Sequence, residues 1–176
     1  MVAKCPFLCK IFSMSNPAIP TIFDAVRKGA AQAVRQYLQQ GGSALEVTPQ
    51  GHSLLTLAAY GGHAEVVQLL LQAGANANGV DQAGNTALMG VAFKGYTEVA
   101  RLLIESGAAI NQRNGAGDTA LHFAIGYGQI PMTELLLVKG ADAEQRDRLG
   151  RTALALAKST QIDELVQLVE KFSVKS

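Results

Sequence analysis

Residues 81–113 read DQAGNTALMGVAFKGYTEVARLLIESGAAINQR, and the sequence on either side is a rewritten version of the same text. Sliding the chain against itself by 33 positions superposes Gly51, Gly84, Gly117 and Gly150, then Gly62, Gly95 and Gly128, then Gly74, Gly107 and Gly140, with no gap. Three glycine registers kept at one period mark a stack of units, each too small to bury its own apolar face.

Within the unit two helical patterns follow one another. Over Thr86–Phe93 the apolar residues Leu88, Val91 and Ala92 recur at helical spacing, with Ala and Gly at sister positions that keep this helix slim. Over Thr97–Glu105 the set Val99, Leu102, Leu103 and Ile104 makes a wider stripe and leaves Glu98, Arg101 and Glu105 for solvent. Gly107 closes the second helix and Gly84 sits in a tight turn before the next Thr, both places that favour a left-handed backbone.

The unit resembles the ankyrin repeat, whose turn, TPLH-like helix start, short loop, second helix and closing glycine are represented by GNTALMGVA, KG, YTEVARLLIESG and AAIN. The resemblance covers residues 20–172 and implies an all-α ankyrin-repeat solenoid of helix-turn-helix units joined by short hairpin-like loops. The expected units are 20–47, 48–80, 81–113, 114–146 and 147–172, in one domain preceded by an extension at 1–19. The terminal units are expected to act as caps with polar outward faces. The family proline is replaced by Leu54, Ala87, Ala120 and Ala153, and its histidine survives only as His122. In the family that histidine joins adjacent loops by a hydrogen bond. Pro131 falls in the first turn of an outer helix, where proline is tolerated.

Residues 1–19 are expected to lie outside the fold, with Asn16 and Pro17 breaking any helix there. Lys4 and the apolar residues after it hint at a secretion signal, but Lys10 interrupts too early, so cytoplasmic residence is expected. Cys5 and Cys9, the only cysteines, are expected to be reduced thiols. A disordered lead and translation starting at Met14 are other readings of this segment.

A formal net charge of +1 with no basic block points away from nucleic acid, and no apolar run reaches the length of about 18 residues that a membrane helix needs. His63 and His122 have places in the repeat, whereas His52 has none. Ser43, Ser53, Ser106 and Ser159 fall where capping explains them. No GxSxG, HExxH or phosphate loop occurs, so neither catalysis, metal nor cofactor is expected.

The expected function is therefore non-catalytic binding of another protein, by a monomer, on the concave face that the resemblance implies. Carried over by position, its loop-side contacts are Gln50, His52, Gln82, Asn85, Asp118, Arg148 and Arg151. Tyr60, Phe93 and Tyr127, with Lys94 beside them, stand at the ends of three successive inner helices. Aromatic residues there suit interface anchors, though rings covering a slim Ala and Gly stack is the plainer alternative. The competing function is an enzyme or small-molecule site in the same groove.

Overall fold

The computed structural model describes residues 21–173, so the expectations for residues 1–19, including Cys5 and Cys9, fall outside the described residues. Among these there are ten helices: α1 (Ile22–Arg27), α2 (Ala31–Gln39), α3 (Leu54–Tyr60), α4 (Ala64–Gln72), α5 (Ala87–Lys94), α6 (Thr97–Glu105), α7 (Ala120–Gly126), α8 (Ile130–Val138), α9 (Ala153–Thr160) and α10 (Asp163–Ser173). Odd-numbered inner helices pack on one another in sequence order, as do even-numbered outer helices, and each pair forms one unit.

Inner helices start the same way for a chemical reason. Thr21, Ser53, Thr86 and Thr152 stand in extended backbone, and each hydroxyl accepts a hydrogen bond from the amide three residues on. That satisfies one of the otherwise unpaired first-turn donors. Ala58, Ala59, Ala92, Ala124 and Ala157 are buried, but the inner helices also bury Leu54, Leu55, Leu88, Met89, Leu121 and Ile125, so they are less slim than their alanines suggest. The outer row adds Val67, Leu70, Leu103, Met132, Leu136 and Leu165, which are completely buried, so both rows build the core. The proline at the second position of α8 removes no helical hydrogen bond.

Inner and outer helices of one unit are joined through a residue in left-handed backbone, with φ +77° at Gly95 and +70° at Gly128. These glycines also seat the following unit. The Tyr96 ring lies over Gly62, where a methyl group would come within 3.0 Å of it, and Gln129 occupies the same place over Gly95. His63 Nε2 reaches back to the Arg27 carbonyl at 2.8 Å, and the Gln129 amide donates to the Phe93 carbonyl at 3.2 Å. In the last unit Gln161 adopts φ +60°, the only positive φ outside glycine among the described residues.

Loops at both ends tie the units together. At one end Asp81, Asn114 and Asp147 each accept two backbone N–H bonds with one carbonyl or carboxylate oxygen, closing the turns before α5, α7 and α9. The turns are then cross-linked: Gly115 N–H donates to the Ala83 carbonyl at 2.9 Å, the Asn114 amide to Asn85 Oδ1 at 2.8 Å, and Arg113 to the Arg146 carbonyl at 2.7 Å. Val47 and Ser53, and Val80 and Thr86, pair as isolated antiparallel bridges, the hairpin character expected of these loops.

Beyond the outer helices, Asn78 donates to the Gly107 carbonyl and accepts from Ala109 N–H, and Asn111 repeats this on Gly140 and Asp142. Leu45, in the same register of the first unit, has no such group and is exposed. The expected inter-loop bond of His122 is replaced. Its Nδ1 instead bonds Thr119 N–H at 3.1 Å and Thr119 Oγ1 at 2.9 Å within the unit, and Nε2 is buried without a partner among the described residues.

Burial pushes the Asp147 carboxyl upward, but N–H donors from Arg151 and Leu149, with the Arg151 guanidinium at 2.8 Å, outweigh it and hold it below the ordinary carboxylate range. Asp81 is lowered in the same manner: burial opposes, and donors from Asn85 and Ala83 prevail.

Two expectations follow from these contacts. Replacing Gln161 by Gly relieves a left-handed side chain and is expected to raise the unfolding free energy by about 1 kcal/mol, read from urea melts; no gain contradicts the strain. Asp147→Asn keeps the turn, as Asn114 does, but removes the charge. An unfolded aspartate takes up its proton near pH 4 and the folded one only below that, so the stabilisation is complete above about pH 4 and is lost as pH falls through the folded value. The variant should be less stable at pH 7 and decline less steeply than the parent below about pH 4. Parallel stability curves for the two proteins contradict this assignment.

Candidate functional site

The C-terminal ends of α3, α5 and α7 place three rings side by side on one edge of the inner-helix row. Tyr60 and Phe93 lie nearly parallel, with centroids 6.4 Å apart and planes inclined by 8°. Phe93 and Tyr127 meet edge to face, with centroids at 4.3 Å and planes at 82°. Offset-stacked and edge-to-face geometries are those that the ring quadrupole favours. Tyr60 is 50% exposed and Tyr127 58%, while Phe93 between them is half-buried.

Small residues make the ladder possible. Tyr60 rests over Gly90, where an added methyl group would be 3.3 Å from the ring. Tyr127 is not in the register of the other two; that place belongs to Gly126. The side-chain gap at Gly126 and the one-residue offset accompany the change from a stacked to an edge contact at Phe93. Lys94 extends across the ladder, its Nζ 4.9 Å from the Tyr60 centroid and 5.3 Å from that of Phe93, close enough for cation–π attraction to both.

Phe93 differs from the other two rings in its packing. Ring contacts on both sides half-bury it, so its truncation removes packing as well as surface.

The loop-side residues form a separate group at the other end of the inner helices. The eight residues of α5 separate the two groups by about 12 Å at 1.5 Å per residue. Gln82, Asn85 and Arg148 line a shallow open cleft with Asn114 and Ala116, and Phe123 lies at its side. Their chemical freedom differs. Asn85 is committed to Asp81 and Asn114, and Arg151 to Asp147, so both hold the loops together.

Arg148 and Gln82 are exposed, with no side-chain hydrogen bond or ion pair among the described residues, and remain available to a ligand. Gln50 is exposed in the first turn and Asp118, next to Gly117, is half-buried; neither lines the cleft. At His52 only the backbone closes the loop, its N–H donating to Thr48 Oγ1 and its carbonyl accepting from Thr48 N–H, and the half-buried side chain has no part in those bonds. The Thr48, Asp81, Asn114 and Asp147 register, which the glycine pattern had left unread, is therefore what shapes the loop side.

Ser53 is the helix cap expected of it, whereas Ser159 turns back to the Leu156 carbonyl in the last turn of α9. Among the described residues no group of three or more His, Cys, Asp or Glu is placed to hold a metal ion, and no helix is long and apolar enough to cross a membrane.

A family model for ankyrin repeats in three copies matches residues 22–114, and one for ankyrin repeats in many copies matches residues 103–157. No curated protein sequence gave a match. Ankyrin repeats are generally protein-interaction scaffolds. Matched across more than half its length, and carrying the repeat register through every helix start and turn described above, the chain belongs to the ankyrin repeat family.

Proposed function

We propose that this protein is a non-catalytic scaffold that holds another protein against the exposed edge of its inner-helix row. The observation that carries the reading is the ring ladder Tyr60, Phe93 and Tyr127. Two of its rings are at least half exposed, they are already ordered by contact with Phe93, and a lysine is held over Tyr60 and Phe93. Pre-ordered aromatic surface loses little entropy on association and buries a large apolar area, the usual composition of an interface hot spot.

The loop-side residues Gln82 and Arg148 extend the same surface to the far end of the inner helices, with Gln50 and Asp118 nearby along the loops. Asn85 and Arg151 support it by fixing loop shape, and His52 adds an imidazole on the neighbouring loop. The scaffold acts as a monomer inside the cytoplasm in this reading, and the partner's contacts span several units.

The exposed rings provide the clean test. Tyr60→Ala and Tyr127→Ala are expected to leave the melting temperature nearly unchanged while weakening capture of the partner by about 1 to 4 kcal/mol for the stronger of the two. Arg101→Ala on the outer row is the control and should alter neither. Quantitative pull-downs from cell extract, beside thermal melts of each variant, read both quantities. Lowered stability with capture retained for Tyr60→Ala and Tyr127→Ala would place the contact surface elsewhere.

A further inference from the structure

The turns that lead into α5, α7 and α9, residues 80–86, 113–119 and 146–152, hold four arginines and three aspartates. Three of the arginines are committed within the fold. Arg113 donates to the Gly117 and Arg146 carbonyls, Arg146 to the Gly150 carbonyl, and Arg151 to the Asp147 carboxylate. Asp81 and Asp147 each accept N–H bonds of their own turn, and Asp118 forms no ion pair among the described residues. The fourth arginine, Arg148, is an exposed cation whose side chain has neither hydrogen bond nor ion pair among the described residues.

That side chain borders open space. Arg148 and Gln82 flank the loop-side cleft from one register of the first and third of these turns. The same register of the turn between them is Gly115, followed by Ala116, so the floor of the cleft has little side-chain bulk. The half-buried Phe123 lies at its side. Asn85 and Asn114 line it too, but their amides are spent on the turns. Among the described residues that line the cleft, Arg148 is the one ionised group.

A guanidinium presents paired N–H donors that match the two oxygens of a carboxylate. One cation balances one carboxylate, whereas a phosphoryl group, carrying about −1.5 to −2 charges, would be left half-compensated. Resting on the reading above, we infer that the partner inserts an aspartate or glutamate side chain into this cleft and pairs it with Arg148. The docked partner covers the cleft and removes the water that weakens an exposed ion pair. Because the Arg148 side chain bonds to nothing within the fold, its replacement tests binding apart from folding.

The test uses random peptides displayed on phage and selected against the intact protein, with synthetic copies of the enriched sequences titrated against variants. The expected result is enrichment of peptides with an acidic residue, bound at least about tenfold more weakly by Arg148→Glu while its melting temperature stays that of the parent. Exchanging the acidic residue for lysine in the peptide should restore affinity for Arg148→Glu, which a loss of structure cannot imitate; failure of that exchange would overturn the pairing. Arg148→Lys keeps the charge without the paired donors and should fall between the parent and Arg148→Glu. Peptides that lose affinity for Tyr60→Ser and Tyr127→Ser yet bind Arg148→Glu as tightly as the parent would overturn the acidic site and leave the concave-edge scaffold standing. Peptides indifferent to all three replacements, or a selection that returns none, would count against both.

Discussion

The third and fourth units are tied by the closest backbone approach between turns in the stack, and the register of their inner helices depends on it. At Gly84 the neighbouring turn comes so near that a methyl group would sit 2.9 Å from the Gly115 nitrogen, whose N–H is donated to the Ala83 carbonyl. A left-handed backbone makes the turn, and the missing side chain lets the next turn bond to it. Without that approach the Asn85 to Asn114 and Arg113 to Arg146 links lose their register, and the inner helices that start from these turns lose their alignment. The glycine-seated side chains Tyr96 and Gln129 perform the same service at the other end of the inner helices.

Because these ties run from unit to unit at the loops and along the buried outer row, the exposed edge of the inner helices is left with little structural duty. Tyr60 and Tyr127 remain half exposed there while the core closes without them. Phe93 is the exception, since it links the two rings and shares in packing. The division also separates loop-side residues by role. Asn85 and Arg151 are consumed in holding the turns, and Arg148 projects free of them. Surface specificity thus varies on a frame whose dimensions it does not set.

Most of this frame was legible in the residues. The 33-residue glycine registers predicted a stack of helix pairs, the threonine and serine before each inner helix marked its start, and Leu103 fell on the buried stripe as expected. What escaped lay in contacts between units, which no single unit's pattern encodes. Asn78 and Asn111 repeat at the same period, yet only their position against Gly107 and Gly140 shows them to be clamps. His122 matched a family position, but its bonds stay within its own unit. Tyr127 looked like the third member of a row, although a one-residue offset over Gly126 gives it an edge contact instead. Such differences arise from side-chain directions, which spacing alone does not supply.

Gly84 and Gly150 allow the central dependence to be measured in isolation. They hold the same place in two turns, with φ +80° and +74°, but a methyl group at Gly150 would meet nothing within 4 Å. Replacing each by Ala and comparing urea unfolding separates backbone strain, common to both, from the approach of the next unit, present only at Gly84. The expected outcome is a loss of about 1 to 2 kcal/mol for Gly150→Ala, from strain alone, and for Gly84→Ala a loss larger by at least about 1 kcal/mol, from the forced backbone shift. Equal losses at the two positions would contradict the claim that close approach between these turns holds the third and fourth units in register.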